Sequence, residues 1–398
     1  MTKHFVISIV RFFYEIMISP FLLSAIIFAR LSKKKIDVGL GPEPLINNIY
    51  HKKALEEYGF SAQTYVDSIY FITDQFDIRT DFWIQQKQIR KLLLPVIEFI
   101  WSVYKYKCVY IYFNGGPLGL GTVFLWRAEP YLYHLANTKV VVMPYGGDVQ
   151  DMTRSSNLLF KDAMSRDYPE HRVRRSKIGS KIDLWTKLAD HVISGCEWVD
   201  YMYHWDTLMI AHFSINTEAW KPRALDSEQV AQSDRKLRIL HAPNHKAIKG
   251  TQLIIRAIKE LQEEGVAIEL ITLEQVPNDR IHDVIQSVDM IVDQLIIGWY
   301  AMFAIEAMAC AKPVLCYLRD DLIQLYTVSG LIEPDEIPII NCSPLTIKQS
   351  IKNLAFNPEL LKRIGKKSRE YVLRHHSTKA IGDAFASINQ SIGLFPQH

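Results

Sequence analysis

The chain has 398 residues, 48% of them hydrophobic and 22% charged, enough apolar material for two domains with separate cores. A formal charge of +3 is too mild to argue for nucleic acid and allows only a weak preference for anionic surfaces. The five cysteines (Cys108, Cys196, Cys310, Cys316, Cys342) are odd in number and widely spaced with no Cys-x-x-Cys, so they read as buried free thiols of a reducing compartment.

From Phe5 to Ala29 the chain is almost wholly apolar, interrupted by Arg11, Glu15 and Pro20, and Arg30 with Lys33-Lys34-Lys35 follows. Eighteen residues separate Arg11 from Arg30, about the minimum that spans a bilayer. Glu15 is costly in hydrocarbon and Pro20 is expected to kink a helix. A cleaved signal peptide fits poorly, because Arg11 breaks the apolar region and no small-x-small site precedes the lysines. Residues 1–35 therefore read as a membrane-associated helix, lying in the interface or barely spanning, with its lysines on the cytoplasmic lipid surface. The alternative is a helix packed on the protein.

The first domain is expected from Ile36. Residues 37–41 (DVGLG) read as a strand entering a turn at Gly39 and Gly41, then a helical run from Leu45 and a strand at 62–66. Cys108–Phe113 is an apolar strand running into Asn114-Gly115-Gly116-Pro117, and Lys139–Met143 another, running into Tyr145-Gly146-Gly147-Asp148. Two strands that deliver small-residue loops to one sheet edge point to a ligand crevice. Asp148 has a second reading, as a cap for the segment after it. Residues 151–182 are charge-rich and read as surface; Arg172, Arg174 and Arg175 are a solvated basic face or a contact for a phosphorylated or lipid-linked acceptor. Asp190–Gly195 reads as the last strand. The polar tract Asp226–Arg235 suits a hinge.

In the second domain, Leu237 opens a strand that turns through Asn244–Ile248 into Lys249-Gly250-Thr251 and a helix with Ile254, Ala257, Ile258 and Leu261 at helical spacing. Strands at VAIELITL and DMIVD follow, then a helix containing Glu306, a stop at Lys312-Pro313 and a fourth strand. This alternation means a parallel sheet that binds ligands at the carboxyl ends of its strands. Lys249-Gly250 at a helix start favours an anion, and Glu306 is a carboxylate in an otherwise apolar run. Together they suit a nucleoside diphosphate and its ribose hydroxyls. His241 and His245 flank a turn with Pro243 and lack a third ligand, so they read as polar lining of the pocket or as plain loop residues, and not as a zinc site. His375-His376 reads as surface. Three helices close the chain, near 344–355, 358–374 and 377–392.

Lys-Gly at a helix start, a strand ending near Asp293, then Glu-Ala-Met-Ala and Lys-Pro-Val resembles the donor-binding domain of the GT-B glycosyltransferases, in the retaining family-four-like group. The resemblance implies an α/β chain of two Rossmann-like domains facing across a cleft, plus the N-terminal hydrophobic helix. Its domains are an acceptor domain at 36–222, with FSINTEAWKPR resembling the linker, a donor domain at 223–376, and a last helix at 377–398 crossing back to the first domain. It implies a nucleotide-sugar donor held by Gly41, His241, Asn244, His245, Lys249, Gly250, Asp293, Gly298 and Glu306. The acceptor side falls on Asn114, Gly115, Gly116, Gly146, Gly147 and Asp148, and Asp148, Lys249 and Glu306 are the candidate catalytic groups. Asp148 resembles the Gly-Ser-Asp loop of related transferases. No Asp-x-Asp occurs, so no metal and no cofactor are expected.

One departure stands out. The family places a second glutamate eight positions before Glu306, and this chain has Gly298 there. Three readings follow: a metal-independent, retaining glycosyltransferase of surface polysaccharide biosynthesis with a glycan or lipid-linked acceptor, membrane-associated on the cytoplasmic side and without nucleic-acid partners; a GT-B nucleotide-sugar epimerase; or a catalytically silent binding or scaffold protein.

Overall fold

In the computed structural model, which describes residues 2–70, 73–223, 236–274 and 278–396, the apolar runs form two parallel sheets in two compact units. The proposed hinge at 226–235 lies outside the described residues.

Unit 1 comprises Met1–Asp151, Arg174–Leu208 and Gly382–His398. Its strands are β1 (Ile36–Leu40), β2 (Ala62–Val66), β3 (Ile78–Arg79), β4 (Tyr106–Tyr112), β5 (Lys139–Met143), β6 (His191–Gly195) and β7 (Thr207–Met209). They lie in the order β3-β2-β1-β4-β5-β6-β7. The β1–β2, β1–β4, β4–β5 and β5–β6 pairs are parallel, with Val38 beside Cys108 and Tyr110 beside Val141. β4 is buried along nearly its whole length, which is why it reads as a continuous apolar run and not an alternating one. The strand order reverses between β1 and β4, so the loops after these two strands flank a natural ligand crevice. The C-terminal helix Thr378–Ser391 packs here through Phe385 and Asn389, whose side chain accepts a 2.9 Å bond from the Tyr110 hydroxyl.

Unit 2 comprises Met152–Val173 and Met209–Ile381. Its strands β8 (Leu237–His241), β9 (Ile268–Thr272), β10 (Met290–Val292), β11 (Val314–Cys316) and β12 (Ile340–Asn341) are ordered β12-β11-β10-β8-β9, every adjacent pair parallel. The switch point lies between β8 and β10. The edge strand β12 is only two residues long and left no periodic trace in the sequence. The unit boundary expected at 222 falls instead at Leu208, and residues 152–173 belong to the second unit. Packing explains this: Phe160, Ala163 and Met164 are buried in one core with Ile239, Ile254, Met290 and Leu315.

The first helix runs Thr2–Leu31 with Pro20 inside it, and its stretch Ile7–Leu31 is long and apolar enough to cross a membrane. It is nevertheless fastened to unit 1 at two points. Glu15, 2% exposed, accepts from the amides of Val123 (2.6 Å), Phe124 (2.9 Å) and Leu125 (3.1 Å), capping helix Leu125–Leu135. Lys34 donates to Ala136 O (2.8 Å), Asn137 O (2.7 Å) and the Thr138 hydroxyl (2.6 Å) at the other end of that helix. An acid at the N-terminus and a base at the C-terminus both complement the helix dipole. Lys34, expected on a lipid surface, is thus held by protein carbonyls. Leu22, Ile26 and Ala29 continue the buried stripe, while Val10, Phe13, Met17, Phe21 and Phe28 face outward.

All five cysteines are free and buried. His376 corrects the surface reading: it is fully buried, bonded to the Tyr300 hydroxyl (2.9 Å) and Phe213 O (3.1 Å), and burial drives its imidazole down to about 3.

Candidate functional site

In unit 2 the chain leaves β8 at His241, makes the single turn Lys246–Lys249, and reverses at Gly250 before helix Thr251–Glu263. Gly250 is left-handed (φ +75°), and a Cβ there meets that of Leu295 at 3.1 Å. Lys249 therefore ends one short turn and stands just ahead of the long helix, beside its positive end. Its ammonium donates to Asp293 Oδ1 at 2.6 Å, the carboxylate at the end of β10. The Lys249 side chain is 13% exposed and that of Asp293 0%.

The two strands of the switch point thus deliver a cation and an acid to one place. Asp293 Oδ2 is buried without a hydrogen-bond partner. A buried carboxylate oxygen with no donor is uncommon, and a ligand hydroxyl or amide would satisfy it. Lys249 carries three donors, so it can keep Asp293 and still reach an anion.

His241 joins the two strands: Nδ1 meets Val292 O at 2.8 Å and Nε2 the Thr251 hydroxyl at 2.9 Å. Burial pushes it down to about 4, so it is neutral at pH 7, and both ring nitrogens are engaged inside the protein. Asn244 and His245 are exposed on the turn, where the Tyr168 hydroxyl meets His245 Nδ1 at 2.8 Å.

Glu306 is buried in helix Met302–Ala309, one turn beyond Phe303, whose ring centroid lies 5.9 Å from the Lys249 ammonium. The carboxylate that meets Lys249 is that of Asp293.

Gly298 sits in a tight loop after β10 with φ +97°. A Cβ there falls 2.7 Å from Arg319 Cδ and 3.2 Å from Asn157 Nδ2. The place of the expected glutamate is taken by Arg319, 6% exposed, whose amide donates to Gly298 O at 3.0 Å and whose guanidinium donates to the Ser156 hydroxyl at 2.6 Å. Asn157 ties the same loop by donating to Ile296 O (2.8 Å) and Ile297 O (2.9 Å). Arg319 and Asn157 were missed in the sequence, since a lone arginine past a strand and an asparagine in a charge-rich run form no spacing pattern.

In unit 1 the loops after β1, β4 and β5 carry a second polar group. Asn114 Nδ2 donates to Glu43 Oε1 (2.7 Å) and the Tyr145 hydroxyl (2.9 Å). Lys181 reaches in from helix His171–Leu188 to the carbonyls of Asn114 (2.6 Å) and Gly119 (3.0 Å). Glu43 is 5% exposed, and its carboxyl is raised, first by burial. Its position between two prolines at the end of β1 was the available signal.

Asp148 is 1% exposed, and its two oxygens accept from the amides of Phe113, Tyr145 and Gly146, each at 3.0 Å. Burial pushes it up to about 7 against those amides. Asp148 thus fastens the Gly146-Gly147 loop to the end of β4 and does not stand open toward a substrate. Gly115 and Gly116 pack closely on Glu129, whose carboxylate accepts from the amides of Gly116 (3.1 Å) and Leu118 (2.9 Å). Gly41, assigned to the donor, lies where a Cβ would fall 2.1 Å from Tyr65 O, so internal packing accounts for it.

No family model matches the sequence, and no curated protein matches it. Solved structures do. Sucrose-phosphate synthase from Thermosynechococcus elongatus aligns with a TM-score of 0.58 over 90% of this chain and 99% of that chain, at 13% identity. HepE from Anabaena in complex with UDP-glucose gives 0.58 over 90% and 100% at 11% identity, and the same protein in complex with UDP gives 0.55 at 12%. Identities this low speak for the architecture alone. The chain shares the fold of the GT-B glycosyltransferases.

Proposed function

We propose that the protein is a glycosyltransferase that moves a sugar from a nucleoside-diphosphate donor to a glycan or lipid-linked acceptor. The observation that carries this is the pairing at the β8/β10 switch point: an ammonium held beside a helix start, on a buried carboxylate with one oxygen left to accept a hydroxyl. Leaving-group departure builds negative charge on a diphosphate, and Lys249 with the helix end supplies fixed positive charge without a metal. Asp293 Oδ2 takes a ribose or sugar hydroxyl, and Arg319 stands where the resemblance expects a glutamate. The complexes of HepE with UDP and UDP-glucose make uridine the first nucleoside to try.

Retention of configuration, with the donor phosphate helping to deprotonate the acceptor, follows from the resemblance and belongs to this proposal. So do a role in surface polysaccharide synthesis and a place on the cytoplasmic face of a membrane. Glu43, Asn114 and Lys181 are the acceptor-side groups of unit 1. A silent binding subunit is the second reading, favoured by Gly298.

A thermal-shift screen with UDP, GDP, ADP and their sugars tests the donor site. Ligand at 100 times its Kd adds about 2.7 kcal/mol. One nucleotide class raising the midpoint supports the proposal, and none doing so refutes it. Binding without turnover across acceptors selects the second reading.

A further inference from the structure

On unit 1, a cavity of about 450 Å³ opens where the N-terminal helix meets the turn at 122–127 and helix His171–Leu188; Ser8, Arg11, Arg127, Ser176, Lys177 and Ser180 line it. Three cations gather there, and no carboxylate is on the lining. Among the described residues, Arg11, Arg127 and Lys177 form no ion pair. Arg127 is held in place over the Trp126 ring, 4.2 Å from its centroid. Although Lys177 is exposed overall, desolvation of its ammonium by the neighbouring side chains, and secondarily the Arg127 charge, keep it below its usual range. Such a group repels itself until an anion enters. Guanidinium forks suit phosphate oxygens; of the hydroxyls beside them, that of Ser180 already donates to Ser176 O at 2.8 Å.

The setting narrows the anion. Ser8 and Arg11 sit on the helix whose outward side shows Val10, Phe13, Met17 and Phe21, the last three each more than 60% exposed. Glu15 and Lys34 fasten that helix along unit 1, so its apolar face runs beside the cationic cavity and does not thread a bilayer alone. Insertion as a span would strip the Glu15 carboxylate from three amides and place it in hydrocarbon. Hydrocarbon-seeking side chains next to a phosphate-seeking cavity match one kind of ligand.

We propose that Arg11, Arg127 and Lys177 hold the phosphate of a long-chain lipid whose hydrocarbon lies along the outward face of helix Thr2–Leu31. The proposal rests on the membrane reading above. Its test reads lipid binding alone, so sugar transfer can fail without touching it.

The full chain is floated with vesicles of phosphatidylcholine alone and of phosphatidylcholine with phosphatidic acid. Three proteins are compared: wild type, Arg127→Gln/Lys177→Gln, and the control Lys33→Gln/Lys35→Gln. Arg127 and Lys177 are exposed, so the variant folds, and its thermal midpoint checks this. Each cation near a lipid surface is worth about fivefold in binding. Diffuse attraction alone costs either double variant about 25-fold at most on phosphatidic acid vesicles, so the pocket variant, which also loses direct charged hydrogen bonds to phosphate, is expected to lose more than about 100-fold, with binding to phosphatidylcholine unchanged. Equal loss in both variants would mean diffuse charge and would overturn the site, as would wild-type binding by the pocket variant. An inorganic-phosphate thermal shift with no gain from phosphatidic acid would make the ligand a soluble phosphate and overturn the lipid assignment.

Discussion

Replacing Lys249 by Met separates the two jobs assigned to it. The pair it forms with Asp293 is 2.6 Å long, and the carboxylate is wholly buried with one oxygen already lacking a donor. Removing the ammonium leaves both oxygens bare, and breaking a buried pair on one side costs about 3–5 kcal/mol. For a unit of this size, a loss of about 3 kcal/mol lowers the midpoint by roughly 9 °C. Lys249→Met/Asp293→Asn removes the stranded charge and is expected to recover most of that loss. Transition-state stabilisation does not return with it. Turnover of the nucleotide sugar is expected to fall about 100-fold or more in both variants, since a positioned donor to a developing anion is worth roughly 3 kcal/mol. Scanning calorimetry and a nucleotide-release assay on wild type, Lys249→Met, Asp293→Asn and the double variant give both numbers. If the double variant is as active as wild type, Lys249 is a structural residue and the assignment fails.

Three further outcomes follow from the same geometry. Glu15→Ala strands three amides at a helix start and is expected to cost about 2 kcal/mol; the emission of Trp126, whose indole donates to Val123 O at 3.0 Å in that turn, should shift to the red. An unchanged midpoint and spectrum would deny the clamp. Burial raises Asp148 to about 7 and Glu129 to about 8, so their contribution to stability is full below about pH 4 and is lost as pH rises through these values. Below about pH 6.5 the buried neutral His241 and His376 act in the opposite sense, so the midpoint is expected to decline between about pH 6.5 and 8, and a rise over that window would contradict the assignment. Gly298→Glu, which restores the residue expected from the resemblance, forces a side chain into φ +97° against Arg319. It should cost about 2 kcal/mol and give no gain in turnover, whereas a stable, faster variant would show that the loop is free to open.

Much of the architecture was legible because parallel strands buried on both faces leave continuous apolar runs, and amphipathic helices such as Thr251–Glu263 leave a 3.6-residue stripe. Lys249 was legible at a helix start and Asp293 at a strand end, yet their pairing was not, because contacts across a sheet switch point have no fixed spacing. Glu15 looked like a charge in hydrocarbon only because its partners are more than a hundred residues away. Residues 152–173 look like polar surface, but Phe160, Ala163 and Met164 supply a narrow buried stripe to unit 2. His376, beside Arg374 and His375, gave no hint of its buried bond to Tyr300.

The most direct test of the donor site is calorimetric titration of UDP, GDP and ADP into the wild-type protein and Lys249→Met. One nucleoside diphosphate saturating the wild type at a single site, with binding to the variant weakened at least tenfold, is the expected result. Equal binding by the two proteins, or no heat from any of the three, would contradict a diphosphate held at the β8/β10 switch point.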